Sequence, residues 1–238
     1  MDSTSLYLRQ QARHGAPHGT VVVAGQQLAG RGRRGRQWHS PAAENLYFSI
    51  LLRPSLELAQ VPQLSLVSAA ALWQALAAEC PGLLIKWPND LYCRGRKIAG
   101  ILAEMQPDKT RAAFVVVGIG LNVNAVPADF PAELQGQVTS LAYECGRNFE
   151  LSGLLERILQ EFAVFVERFC RQGLAGSIQT LINRNFFLAG KVISMCWGEQ
   201  KITCRARAID VSGQLLAITP DGREMAFSAG EAWLEKRA

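Results

Sequence analysis

The sequence predicts an α+β fold in which helices pack on a mixed β-sheet and a small β-barrel follows. Over the first 188 residues, segments with helical periodicity lie between β-branched apolar segments, as in a sheet covered by helices. From residue 189 onward, closely spaced alternating segments are separated by turns that contain glycine, which is typical of hairpins. We therefore divide the chain into a large unit, residues 1–188, and a small unit, residues 189–238.

The composition indicates a globular protein. The 238 residues are 49% hydrophobic and 19% charged, which is enough chain to bury a full core. No apolar run reaches the ~20 residues that span a bilayer, and residues 1–20 lack the pattern of a signal peptide, so we expect a cytoplasmic protein without a membrane partner. The six cysteines include no Cys-x-x-Cys pair and are interpreted as buried hydrophobic residues.

The first elements are a helix, a strand and a loop. A short helix is predicted over Leu6–Arg13, because the polar residues 2–4 can cap its start and Gly15 can end it. The β-branched run Thr20–Ala24 predicts a buried strand. Residues 25–45 are rich in Gly, Arg, Gln and Pro and predict a loop.

The next elements are two sheet segments joined by a helix. Asn45–Leu52 alternates apolar and polar residues and predicts a strand with one face in the core. Leu64–Cys80 is rich in Ala and Leu and predicts a helix. Leu83–Lys86 and Leu91–Cys93 predict short strands on either side of the turn-like segment Trp87–Asp90.

The rest of the large unit is a hairpin, a strand and two helices. Cys93–Gln106 predicts a hairpin that turns at residues 94–96, and Ala112–Val117 predicts an apolar strand. Apolar residues at helical spacing between Leu154 and Phe169 predict a long amphipathic helix, and Ile178–Arg184 a shorter one. The small unit has predicted turns at Gly198-Glu199, Ser212-Gly213 and Asp221-Gly222 and predicted strands at Lys191–Trp197, Lys201–Ile209, Gln214–Thr219 and Arg223–Phe227.

The segment Gly30–Trp38, called the Arg/Gly loop below, concentrates the positive charge of the chain. It holds four arginines within six residues, and without them the net charge would fall from +5 to +1. The planar guanidinium group donates two parallel hydrogen bonds to phosphate or carboxylate, so this loop predicts a site for a small anion that orders the loop on binding. The same pattern also fits a solvated run of charge or an RNA-binding Arg/Gly segment, but not a P-loop, since no Gly-Lys-Ser/Thr follows.

Two further segments contain groups that suit a nucleotide. In Lys86–Asp90, the asparagine can bond a base or ribose, and the aspartate can hold Mg²⁺ on a triphosphate. A turn capped by Asn-Asp with a solvated lysine explains the same residues without a ligand. Lys97 follows a hairpin turn and, taken alone, is expected to face solvent.

In their order along the chain, these segments resemble the signature motifs of biotin protein ligases. The resemblance is dispersed over residues 3–124, and its Gly-Arg-Gly-Arg-Arg-Gly-Arg and Lys-Trp-Pro-Asn-Asp motifs are highly specific. It implies a catalytic domain of the biotin/lipoate ligase type, which binds biotin and ATP, over residues 1–188 and an SH3-like C-terminal domain over residues 189–238. The matching segments are Gly30–Trp38 with Ser40-Pro41 and Asn45–Tyr47, then Lys86–Asp90, Lys97–Leu102 and Gly118–Asn124.

The resemblance also implies roles for individual residues. Lys97, Arg33 and Lys86 would be catalytic, with Arg33 retaining the reactive intermediate and Lys86 serving the phosphates. The residues expected to contact biotin or its adenylate are Ser3, Thr4, Gln27, Gly30, Arg31, Gly32, Arg33, Lys97, Gly100, Gly118 and Gly120. Those expected to serve the nucleotide are Trp38, Lys86, Asn89, Asp90 and Asn122, with Asp90 also holding Mg²⁺.

A member of this family would use ATP and Mg²⁺ to convert biotin to biotinyl-5′-AMP with release of pyrophosphate. It would then transfer biotin to a lysine of a biotin carboxyl carrier protein. Because only Met1 and Asp2 precede Ser3, we expect no N-terminal DNA-binding domain and no sequence-specific DNA binding. Whether the chain forms a homodimer is left open. The sequence departs from the family pattern at Ala43, where glycine is usual, and at Ser5, where asparagine is usual.

Two other functions fit parts of the pattern. A lipoate or octanoate ligase or transferase of related fold would act on plain acyl chains, and the Gly-Arg-rich segment argues against it. A nucleic-acid-binding module could use the Arg/Gly loop, but it would not need the Lys-Trp-Pro-Asn-Asp segment or the Gly-Ile-Gly-Leu-Asn-Val-Asn segment that follow.

Overall fold

The computed structural model describes residues 1–42, 44–197 and 200–235, and its centre is a six-stranded antiparallel sheet. The strands are β1 (Val21–Ala24), β2 (Leu46–Leu52), β3 (Leu83–Lys86), β4 (Asp90–Cys93), β5 (Arg96–Asp108) and β6 (Arg111–Leu121). They lie in the order β1-β2-β6-β5-β4-β3. The α+β class is confirmed. All pairings between these strands are antiparallel, so the predicted mixture of directions is confined to two isolated parallel bridges in the described chain, Ile85–Phe186 and Lys97–Val138.

Helices cover both faces of this sheet. They are α1 (Thr4–Arg13), α2 (Gln63–Leu76), α3 (Leu141–Cys145), α4 (Leu151–Gln172) and α5 (Ser177–Arg184). The helix α2 contacts both the sheet and α4, which explains why ten of its residues are buried. On α4, the predicted apolar stripe is confirmed, with Leu154, Ile158, Phe162 and Phe169 among its buried residues. The five-residue helix α3 is not predicted, because so short a segment carries no periodicity.

Two strand predictions are wrong about burial. The alternation in β2 predicts one buried face, but all seven residues are buried. Phe48 and Ile50 belong to the core under α2, whereas Leu51 packs with Leu8 of α1 on the opposite face. The strand β1 is predicted to be buried, but it lies at the edge of the sheet and Val23 is 47% exposed.

The small unit is a five-stranded antiparallel sheet. Its strands are β7 (Val192–Trp197), β8 (Gln200–Ile209), β9 (Leu215–Ile218), β10 (Glu224–Phe227) and β11 (Glu231–Leu234), in the order β10-β9-β8-β7-β11. The four predicted strands are confirmed with shifted ends, and β11 is an additional one. The apolar core is continuous with that of the large unit, and Trp87 Nε1 donates to Gly213 O at 3.0 Å. The predicted turn at Gly198-Glu199 and the departure at Ala43 lie outside the described residues.

The cysteines of the chain differ in burial. Cys80, Cys93 and Cys204 are buried as expected, but Cys170 is exposed because it lies on the solvent side of α4. Among the described residues, the structure contains no helix with the length and apolarity that a membrane crossing requires.

Candidate functional site

The floor of the site is a part of the sheet that lacks side chains. Gly100 and Gly120 are paired across β5 and β6, and Gly118 is paired with Ser49 across β6 and β2. Their neighbours Ile119 and Leu121 point into the core under α2, so the glycines lie on the opposite face, beside the start of α1. Because three glycines lie together there, the sheet surface is hollow at this point.

The side chain of Trp38 lies over this hollow. A Cβ atom at Gly100 would be 2.7 Å from Trp38 Cζ3, and one at Gly120 would overlap Trp38 Nε1. The Lys97 ammonium is 5.1 Å from the centroid of the indole, within range of a cation–π contact. Trp38 Nε1 is buried and has no hydrogen-bond partner within the described part of the chain, so it can donate to a bound ligand.

One end of the site is neutral and polar. The backbone N–H of Thr4 donates to Gln27 Oε1 at 2.9 Å, and Ser49 Oγ lies 2.8 Å from Thr4 Oγ1 and 3.0 Å from Ser5 Oγ. The expected capping of α1 by polar side chains is wrong: the helix begins at Thr4, and its N-cap Ser3 makes no side-chain cap bond. These hydroxyl groups face the site and each other instead.

The arginines of the Arg/Gly loop contact several distant elements. Arg31 forms an ion pair with Glu104 at 3.0 Å, and Arg36 forms one with Glu231 of β11 at 2.6 Å. Arg33 donates to Asn89 Oδ1 at 3.2 Å. Arg34 has a φ of 56° and points to solvent. The loop therefore has defined contacts in this structure, and its ordering by an anion stays a prediction.

Burial changes the acidity of two cations in this region. The pKa of Lys86 is lowered chiefly by burial, although Asp90 opposes that effect. The pKa of Arg33 is also lowered, first by burial and then by repulsion from Arg34. Lys86 Nζ donates to Tyr92 Oη at 3.2 Å and lies 4.8 Å from the centre of that ring. A cation that has lost much of its hydration interacts strongly with an incoming anion.

The opposite end of the site is cationic. Lys86 and Asp90 are paired across β3 and β4, and Lys97 Nζ lies 2.8 Å from Asp90 Oδ1 across the next hairpin. Asn89 accepts from Arg33 and donates to Ile101 O at 2.7 Å, which fixes its side chain. Among the residues that the structure describes, five cationic side chains and two carboxylates line the cavity. An anion is therefore favoured here.

Most of the predicted site residues line one cavity of about 170 Å³. Gly30 is not part of its wall: its carbonyl accepts from Trp38 N at 2.9 Å, and a Cβ there would lie 2.7 Å from Ser40 Oγ. Asn122 is also outside the wall, since its amide donates to Thr139 O at 2.9 Å. The predicted residues that the cavity brings together are Ser3, Thr4, Gln27, Arg31, Gly32, Arg33, Trp38, Lys86, Asn89, Asp90, Lys97, Gly100, Gly118 and Gly120.

Several residues of the cavity wall were not predicted from the sequence. Glu231 and Trp233 come from β11, nearly two hundred residues after the Arg/Gly loop, and no local pattern marks them. Ile101 and Leu102 lie in a motif that was identified, but apolar residues in a strand normally indicate core. For Ser5, the departure from asparagine beside Ser3 and Thr4 was the signal.

Comparisons with known proteins agree with one another. Residues 1–122 match the model of the biotin/lipoate A/B protein ligase family. The chain is 43% identical over 161 residues to the bifunctional ligase/repressor BirA of Bacillus subtilis, covering 67% of this chain and 49% of that protein. It is 34% identical to the biotin–[acetyl-CoA-carboxylase] ligase of Paracoccus denitrificans, covering 86% of each.

A solved structure is similar over nearly the full length. It is the biotin protein ligase from Aquifex aeolicus in complex with biotin and ATP, with a TM-score of 0.85 and 30% sequence identity. The similarity covers 99% of this chain and 96% of that one. In contrast, this chain spans about half the length of the Bacillus subtilis relative.

Proposed function

Because the chain belongs to the biotin/lipoate A/B protein ligase family, we propose that it is a biotin protein ligase. It activates biotin with ATP to biotinyl-5′-AMP and transfers the biotinyl group to a lysine of a biotin carboxyl carrier protein. The relatives named above are biotin ligases, and the Aquifex aeolicus ligase binds biotin and ATP in a structure of the same fold.

The observation that carries this proposal is the division of one cavity into a neutral end and a cationic end. The neutral end has the hydroxyl groups of Thr4 and Ser5, which suit an uncharged polar ring. At the other end, Lys86, Lys97 and Arg33 suit a carboxylate beside a triphosphate. A biotin molecule that spans both ends would place its carboxylate where the phosphates bind.

In the first step, an oxygen of the biotin carboxylate attacks the α-phosphorus of ATP, and the bond to pyrophosphate breaks. Two anions must approach each other, and negative charge moves onto the leaving pyrophosphate. Lys97, Lys86 and Arg33 stabilise that charge from fixed positions in a site drier than bulk water. Trp38 covers the floor beside them and helps to keep water from the mixed anhydride.

Magnesium fits this site as part of the nucleotide substrate. Asp90 offers a carboxylate at the cationic end, and Mg²⁺ is commonly held by one or two carboxylates together with substrate phosphates. The ion would add positive charge near the phosphates.

In the second step, the neutral ε-amine of the acceptor lysine attacks the acyl carbon, and AMP leaves. Asp90 is the residue we consider as the base that takes the proton, since its carboxylate lines the cavity. It can do so only after its ion pair with Lys97 has been exchanged for other contacts.

The test is release of pyrophosphate with biotin, lipoate or octanoate as the only acyl substrate. We expect release with biotin alone, followed by labelling of a biotin carrier domain. Release with lipoate or octanoate at a similar kcat/KM would favour the related acyl ligases. Tight RNA binding without pyrophosphate release would favour the nucleic-acid-binding interpretation.

A further inference from the structure

A continuous series of hydrogen bonds connects the neutral end of the cavity with the Arg/Gly loop. Gln27 Nε2 donates to Ser40 Oγ at 3.0 Å, and Ser40 Oγ donates to Trp38 O at 3.1 Å. On the other side of Gln27 lie the hydroxyl groups of Thr4, Ser49 and Ser5. Ser40 therefore supports both Gln27 and the backbone beside the indole.

The direction of these hydrogen bonds is fixed by two groups, the backbone N–H of Thr4, which only donates, and the side-chain carbonyl of Gln27, which only accepts. The backbone N–H of Thr4 can only donate, so the Gln27 atom at 2.9 Å is its carbonyl oxygen. The Thr4 hydroxyl lies 3.2 Å from the same oxygen, which can only accept. The single hydroxyl proton of Thr4 therefore points to Gln27.

Since Thr4 has no second proton, it accepts the bond from Ser49, at 2.8 Å. Ser49 then has none left, so the 3.0 Å bond to Ser5 is donated by Ser5. Ser5 lines the cavity, and with its proton directed to Ser49 it presents only oxygen lone pairs there. It can accept a hydrogen bond from a ligand but cannot donate one without disturbing the series.

We propose, building on the ligase function above, that Ser49 is a positioning residue that makes Ser5 an acceptor for a ureido N–H of biotin. Ser49 is 0% exposed and does not line the cavity, so it acts on the ligand through Ser5. Gly118 is part of the arrangement, because a Cβ there would overlap Ser5 Oγ. A ring N–H is what distinguishes biotin from lipoate and octanoate at this end.

The experiment compares Ser49→Ala with Ser68→Ala. Both serines are 0% exposed, but Ser68 donates to Leu64 O within α2 and is not part of this series of hydrogen bonds. For each variant, KM and kcat come from pyrophosphate release, and Kd for biotin comes from calorimetry. The substrates are biotin and its two analogues with one ureido nitrogen methylated.

We expect Ser49→Ala to raise KM and Kd for biotin roughly three- to tenfold, the range of one neutral hydrogen bond, with kcat and KM for ATP unchanged. The preference for biotin over one methylated analogue should fall by the same factor. Ser68→Ala should leave that preference intact. In a Ser5→Ala background, Ser49→Ala should add no further loss, because its effect passes through Ser5.

Three results would overturn the inference. They are an unchanged KM for biotin, an equal loss for biotin and both analogues, and losses from Ser5→Ala and Ser49→Ala that simply add. Should Ser49→Ala fail to fold, Ser49→Cys keeps a weak donor and acceptor and should give a smaller change in the same preference. If the wild-type protein releases no pyrophosphate with biotin, the ligase proposal itself fails.

Discussion

The carboxylate Oδ1 of Asp90 lies 2.8 Å from the ammonium Nζ of Lys97, so two residues with separate predicted roles neutralise each other. Asp90 is the predicted Mg²⁺ ligand and Lys97 a predicted contact of the adenylate. Bound Mg²⁺ would pair with Asp90 and a phosphate of ATP with Lys97, so neither charge would be left buried without a partner. The pair therefore keeps the cationic end of the site ready for the nucleotide.

Asp90→Asn should weaken use of the nucleotide much more than binding of biotin. Asparagine cannot supply the charge that Mg²⁺ prefers, and it also releases Lys97. We expect kcat/KM for ATP to fall about a hundredfold, the usual effect of one preorganised electrostatic contact, with Kd for biotin changing less than threefold. Higher Mg²⁺ concentrations should restore part of the activity. Unchanged pyrophosphate release in steady-state assays would remove Asp90 from the nucleotide site.

The pH dependence of ATP use should report on Lys86. Burial lowers the pKa of this lysine, so it loses its proton at a lower pH than an ordinary lysine. The alkaline fall of kcat/KM for ATP should therefore begin below the range typical of lysine. Lys86→Arg should move that fall to higher pH, since a guanidinium stays protonated. A profile that is identical in both proteins would show that another group controls this limb.

The same lowered pKa has a consequence for stability. The protonated form of Lys86 opposes folding, and this cost is fully present below the folded-state pKa. It is relieved as the pH rises through that pKa toward the unfolded-state value. The Lys86→Met variant should therefore gain stability over wild type near neutral pH and lose this advantage in alkaline solution, as measured by thermal melts.

Gly120→Ala should displace the indole of Trp38. A Cβ at Gly120 would overlap Trp38 Nε1, and the neighbouring Lys97 would lose its cation–π contact. We expect kcat/KM for ATP and for biotin to fall at least tenfold in pyrophosphate assays. Gly25→Ala is the matched control, because a Cβ there meets nothing within 4 Å. Equal activity of the two variants would mean that Trp38 is not needed where it lies.

Arg33→Gly should release the intermediate more than it impairs its formation. Arg33 donates to Asn89 and, at 3.5 Å, to Gly230 O, so it bridges the large unit and the small one beside the cavity. Without it, we expect biotinyl-AMP to escape and label bystander lysines, visible on a streptavidin blot. Arg34→Gly is the control, since Arg34 points to solvent. Labelling confined to the acceptor in both variants would contradict this role.

Much of the fold follows from local patterns, and the exceptions have physical causes. The stripe on α4 and the turn at Arg94-Gly95 depend on neighbouring residues and were predicted. Burial of β2 on both faces depends on α1 packing against it, which periodicity within β2 cannot reveal. The edge position of β1 is likewise a property of the sheet and not of its own four residues.

The site was predictable where its chemistry is concentrated in short motifs. The Arg/Gly loop and the segment Lys86–Asp90 carry unusual charges at close spacing, and both line the cavity. In contrast, Ser49 lies in an apolar strand, and its importance depends on two hydroxyl groups more than forty residues earlier. Glu231 lines the cavity from β11 and forms an ion pair with Arg36, and neither relationship can be read from its neighbours in sequence.

The ion pair between Arg36 and Glu231 also bears on the order in which the protein is made. A ribosome produces the motifs of residues 30–124 long before residue 231 leaves the exit tunnel, and N-terminal segments fold first during synthesis. Until then, Arg36 lacks this partner and the wall of the cavity lacks Trp233. A nascent chain would thus carry every recognisable motif of the ligase while its pocket was still open on one side. Catalytic competence would arrive late, with β11.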